Sequence, residues 1–202
     1  MFVLYAIAIG LVVGKLAGGS IGALSEMRIR WSGLILAGLI FQVVLFSGPV
    51  ADRVGDLGPL LYVVSTGVVL GAVLRNWDIT GLPIVVVGAL SNAAAIIANG
   101  GFMPASAGAL LALGRSFPAG YSNSSIVAHP ALEPLTDIFA VPPPLPFANV
   151  FSIGDVQIAI GVAVVITVGM RRRRQASDVA LVGATRSVEP SKADLPASPE
   201  VA

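Results

Sequence analysis

The sequence contains no cysteine and a single histidine, His129. The first absence excludes a disulfide framework, a thiol nucleophile and cysteine-ligated metal. The second leaves no histidine-cluster metal centre, and a Ser-His-Asp triad would have to use His129 itself. Charge is also scarce: 11% of the 202 residues are charged, where a soluble domain carries about 25%. No glycine-rich nucleotide loop, cofactor motif or nucleic-acid-binding stretch is visible. Neither a cofactor, a metal nor nucleic acid is therefore expected.

Apolar sequence takes the place of charge. Hydrophobic residues make up 55% of the chain, and the mean hydropathy is +0.89. The apolar residues fall into runs of near-spanning length. Five such runs cover about 2–17, 31–46, 60–74, 79–98 and 153–170. The expected fold is an all-α polytopic transmembrane helical bundle, a single domain over 1–174. The first run has no basic residue before it, and its early charge, Lys15, comes near its end. It reads as a retained helix rather than a signal peptide.

The positive charges orient the bundle. The last run ends in Arg171, Arg172, Arg173 and Arg174. Lys15, Arg28, Arg30 and Arg75 fall on the same side if the five runs alternate, and only Arg53 and Arg115 fall on the other. The Lys/Arg bias puts the amino terminus outside and the carboxyl terminus in the cytoplasm. The location that follows is the bacterial cytoplasmic membrane, crossed several times. Trp31 and Trp77 stand where interfacial aromatics are expected. Arginines at the inner face also suit anionic lipid.

The links differ in character. The stretch 47–58 holds Asp52, Arg53, Asp56 and Pro49 and reads as a short wet loop. The outer loop over 99–152 is far longer than a connection with no role. Within it, 105–113 reads as a short helix after Pro104, and 114–125 as turn-rich. Asn123-Ser124-Ser125 matches the glycosylation pattern only weakly. Pro142, Pro143, Pro144 and Pro146 predict an extended polyproline return to the membrane. The tail over 175–202 lacks an apolar period and is expected to be disordered.

Gly10, Gly14, Gly18 and Gly22 recur every four residues. They form a close-packing stripe on which a neighbouring helix, or a second copy of the chain, could seat. Gln42 reads as a helix–helix hydrogen-bonding residue. Ser65 and Thr66 can bond carbonyls of their own helix.

Polar residues gather near the outer face: Asn92, Asn99, Asp137, Asn149, Ser152 and Asp155, with Ser91 beside them. A carboxylate at the edge of a span needs a partner or a cavity. Ser152 and Asp155 also have the spacing of a capping box, with aspartate in place of glutamate. Asn99 precedes two glycines and could either cap its helix or bind a ligand carbonyl. His129 precedes Pro130 and reads as exposed. If Asp137 and Asp155 meet, they could share one proton, one activating a water while the other protonates a carbonyl.

The segment LTDIFAVPPPLPFANVFSIGDVQIAIG, Leu135 to Gly161, resembles the carboxyl-terminal part of bacterial lipoprotein signal peptidase, an aspartic membrane protease. That resemblance implies Asp137 and Asp155 as the catalytic pair. It matches Asn149 to the asparagine just ahead of the second aspartate and, more loosely, Asn99 to one that binds substrate backbone. Asn92 and Ser152, from their place at the same face, join these as candidate substrate-binding residues. The peptidase family has four spans, and this chain reads as five. The body of the chain also resembles a group of small bacterial membrane proteins without assigned activity. They share an Asn-Gly-Gly-x-Met-Pro segment, here Asn99 to Pro104, and a Ser-x-Gly-Asp segment, here Ser152 to Asp155. The expected function is binding of a lipid, a membrane-anchored peptide or a protein partner at an outward-facing polar site. A peptidase is the alternative, and a small transporter or channel subunit the second.

Overall fold

The computed structural model describes residues 3–114, 124–125 and 127–187, with side chains through Arg171 except at 124–125. The helices, in chain order, are α1 (Val3–Leu16), α2 (Gly22–Ser25), α3 (Ser32–Leu45), α4 (Gly48–Val54), α5 (Gly58–Leu74), α6 (Leu82–Ala98), α7 (Ala107–Leu113) and α8 (Ile153–Ser187). The short strands are β1 (Met103–Pro104), β2 (Ser124–Ser125), β3 (Phe139–Ala140) and β4 (Val150–Phe151). The structure is mostly helical. Two helical stretches, Gly48–Leu74 and Ile153–Arg171, are long and apolar enough to cross a membrane. Three shorter apolar helices, α1, α3 and α6, have 14, 14 and 17 residues.

The five principal helices form a row in the order α1, α8, α6, α5, α3. α1 runs parallel to α8: Gly10 lies against Ala163 and Ile166, and Gly14 against Met170. α6 runs antiparallel to α8. Gly88 meets Gly154 and Ile158, while Gly81 meets Gly161 and Val165. α5 runs antiparallel to both neighbours, since Pro59 lies at Gly101 and Gln42 bonds Ser65 and Thr66. Lys15, Arg28, Arg30, Arg75 and Arg171 therefore collect at one end of the row, here the basic end. The described parts of 99–152 cover the other, the cap end.

Small residues make the seams. A Cβ on Gly88 would stand 2.5 Å from the Gly154 carbonyl oxygen, and one on Gly81 2.7 Å from that of Gly161. Backbones approach this closely only where both helices present glycine. The two pairs are spaced seven residues apart on each helix, which keeps them on one face. The glycine stripe of α1 is used in the same way. Gly10 and Gly14 seat α8, and Gly18 at φ 78° ends the helix. Two of the four glycines of that stripe, Gly10 and Gly14, thus seat a helix of the same chain.

The cap has a core of its own. Ala105, Ala109, Leu110, Leu113 and Val150 are buried together. β1 pairs in parallel with β2, Ala105 bridges to Asp137, and β3 pairs antiparallel with β4. The fold is therefore not purely α. The four prolines do not run extended to the membrane. They occupy the turn of the β3–β4 hairpin, closed by Val141 N–H donating to the Asn149 carbonyl at 2.9 Å. Proline favours the turn because its φ is already set and its missing N–H is not needed there.

Two further expectations change. The stretch 47–58 is helical rather than a wet loop. Pro49 and Pro59 sit at helix first turns, where proline costs nothing, and a 3-10 turn over Gly55–Leu57 joins α4 to α5. α8 continues to Ser187, past the expected end at Arg174. No proline interrupts that stretch before Pro190, and a helix already nucleated propagates through ordinary residues. Residues 188–202 lie outside the described structure.

Candidate functional site

Four hydrogen bonds close a ring where α8 begins. The Ser152 hydroxyl donates to Asn92 Oδ1 at 2.8 Å, and Asn92 Nδ2 donates to Asp155 Oδ1 at 2.9 Å. Ser152 N–H donates to Asp155 Oδ2 and Asp155 N–H donates to Ser152 Oγ, each at 3.1 Å. The last two bonds are the capping box read from the sequence, and they satisfy two of the free donors of a helix start. The first two tie that cap to α6. The ring has one sense only. A carboxylate accepts, so the Asn92 amide nitrogen must face Asp155, and its oxygen is left for the serine proton.

The glycines make this reach possible. Gly154 lies between Ser152 and Asp155 in sequence, and any Cβ there would collide with the Asn92 side chain. Ser152 is fully buried, and Asn92 and Asp155 are half-buried. Ser91 Oγ and Gln157 Oε1, on the same two helices, are buried without a hydrogen bond among the described residues. Gln157 packs against Gly88 and was not singled out by the sequence. The seven-residue glycine spacing was the available signal.

Asp137 lies in the cap rather than on the row. It is 6% exposed. Its N–H donates to the Pro104 carbonyl at 2.9 Å, and its carbonyl accepts from Ser106 N–H at 3.0 Å. The hydrogen bonds of Asp155 go to Asn92 and Ser152, and none goes to Asp137. The two expected catalytic carboxylates do not form a hydrogen-bonded pair.

Asn99 holds peptide backbone, but the backbone is the chain's own. Its amide donates to the Ala131 carbonyl at 2.8 Å and accepts from Ala131 N–H at 2.9 Å. The same nitrogen donates to Ala95 O at 2.7 Å, capping α6. Gly100 and Gly101 follow at φ 74° and 92°, as a left-handed helix stop requires. Asn149 contributes its backbone carbonyl to the hairpin. His129 is exposed.

An equivalent clamp stands at the basic end and was missed in the sequence. Asn76, 1% exposed, donates to Arg30 O at 2.8 Å and to Ala72 O at 2.9 Å, and accepts from Arg30 N–H at 2.7 Å. Asn76 and Asn99 thus share one device: each bonds the carbonyl four residues earlier and both backbone groups of one distant residue. Asn76 anchors the residue before Trp31, whose φ of 58° is unusual for so bulky a side chain.

A cleft of about 200 Å³ opens in the cap. Ser106, Val127, Ala128, Pro130, Glu133 and Thr136 line it. Among the described residues that line it, Glu133 is the one charged group. Among the described residues no cluster of histidine, aspartate and glutamate could hold a metal ion.

No curated protein and no solved structure matches the chain. The resemblance of Leu135–Gly161 to lipoprotein signal peptidase finds no support among them. A family model does match, over residues 26–167, and the chain belongs to that family, DUF5317, a family of unknown function.

Proposed function

We propose that the chain is a five-span protein of the bacterial cytoplasmic membrane whose outer cap binds a peptide segment of a membrane-anchored partner. The observation that carries this reading is the inversion of its packing. Small residues fill the helix seams: Ala6, Gly10, Gly14, Ala72, Gly88, Ala95, Gly154 and Ala159. Large apolar side chains point away: Ile9, Val12, Leu36, Ile40, Val43, Val64 and Ile160 are all more than half exposed. Water would penalise that surface by about 25 cal/mol per Å², whereas lipid would not. The directions of the five helices, with basic residues at one end, agree with an outside amino terminus and a cytoplasmic carboxyl terminus.

Binding is favoured over hydrolysis by the use made of Asp155. Both carboxylate oxygens already accept structural hydrogen bonds. The cap cleft, with Glu133 at its edge, suits an extended segment carrying a basic group. The test offers the purified protein lipid-anchored basic peptides in vesicles. The expected result is retention of intact peptide, weakened about tenfold, roughly 1.4 kcal/mol, when Ala128→Trp fills the cleft. Cleaved peptide that disappears in Asp155→Asn would overturn the reading in favour of a hydrolase.

A further inference from the structure

An open groove of about 610 Å³ lies at the basic end, between the start of α3 and the end of α5. Its walls are Arg30, Trp31, Gly71, Arg75, Trp77 and Asp78. We propose that it is a binding site for one anionic phospholipid of the inner leaflet. The headgroup phosphate would sit at Arg75, and an acyl chain would lie along the notch at Gly71 and Gly67.

Charge complementarity argues for this occupant. The two arginines face one acid, and that acid is already spoken for. Arg30 Nη1 is 3.5 Å from Asp78 Oδ1 and 3.5 Å from the Arg75 carbonyl. The Arg75 side chain has no ion pair or hydrogen bond among the described residues and is exposed. Arginine is the side chain suited to phosphate, through its planar fork of donors.

Shape argues for the same occupant. A Cβ on Gly67 or Gly71 would meet nothing within 4 Å. These glycines do not serve a helix seam, unlike Gly81 and Gly88. Gly71 lines the groove, and Gly67, one turn earlier on α5, also faces open space between exposed Val64 and Leu74. Trp31 and Trp77, 59% and 53% exposed, stand at the level where indoles meet headgroups. The Asn76 clamp on Arg30 fixes the backbone that presents Trp31.

The proposal rests on the membrane reading, so its test separates the two. Protein would be reconstituted in nanodiscs of phosphatidylglycerol and phosphatidylcholine with matched chains, then stripped with mild detergent. Lipid retained per protein would be counted by mass spectrometry. Wild type should retain phosphatidylglycerol preferentially. Arg75→Gln should lower that preference about fivefold, the weight of one basic residue near an anionic surface, and Arg75→Lys should restore part of it. Gly71→Leu should lower retention of both lipids. Equal retention of the two lipids by wild type, or an unchanged preference in Arg75→Gln, overturns the lipid site. Wild-type protein released from cell membranes by carbonate would overturn the membrane reading itself, and the site with it.

Discussion

Asn92 holds α6 and α8 together at the cap end, because it is the one side chain that bonds both members of the capping box. Its removal would strand the hydroxyl of fully buried Ser152 and a carboxylate oxygen of half-buried Asp155. Asn92→Ala should therefore destabilise the protein by about 1–3 kcal/mol. Asp155→Ala should cost a similar amount, and the double variant less than the sum, since both remove one network. Chemical unfolding in micelles would measure this, and simple additivity would sink the shared ring. Gln157 is a contrasting case. Its carbonyl oxygen is buried with no donor, so Gln157→Leu should be neutral or stabilising by about 1 kcal/mol. At this scale the sequence named Asn92, Ser152 and Asp155 as candidates but showed only the bonding between the last two. Ser152 and Asp155 stand three apart, and local spacing is visible in a chain. Asn92 lies sixty residues before Ser152, and only the fold brings it there. The two asparagine clamps were hidden for the same reason. Nothing local marks Asn76 as the partner of Arg30, or Asn99 as that of Ala131.

Glycine has two opposite uses among the helices, and substitution should tell them apart. Gly88 and Gly154 meet backbone to backbone. Gly88→Ala must push α6 from α8 and should cost about 1–3 kcal/mol. Gly67→Ala meets open space within α5 and should stabilise the helix by about 0.5–1 kcal/mol. Thermal unfolding of the two variants side by side reads the difference, and equal losses would contradict the assigned seam. Helix positions were readable from the sequence because apolar runs are long and local. The run expected over 31–46 is α3 (Ser32–Leu45), and that over 79–98 contains α6 (Leu82–Ala98). The stretch 47–58 was misread because its charges and prolines suggested solvent. Proline at a first turn is as good a helix start as a loop. The polyproline return failed for a similar reason: a proline run is stiff, but the pairing of β3 with β4 decides where it bends.

The whole molecule is a single row of helices, with a small folded cap at one end and basic residues at the other. A row exposes both of its broad faces, and in this chain those faces are large apolar side chains. That arrangement is reasonable in lipid and costly in water. Composition alone pointed to it, since scarce charge and long apolar runs are properties of the whole chain. The cap was the least readable part. Its strands are two residues long, and its core joins residues from Ala105 to Val150. The chain has no cysteine, so single cysteines introduced at exposed positions report sidedness without background. The most direct measurement labels Glu26→Cys, Asp52→Cys, Asp78→Cys and His129→Cys with a membrane-impermeant maleimide in intact cells. Reaction at Asp52→Cys and His129→Cys, with Glu26→Cys and Asp78→Cys protected until permeabilisation, is the predicted result. Labelling of Glu26→Cys or Asp78→Cys in intact cells, or protection of His129→Cys, would contradict the five-span arrangement and its outer cap.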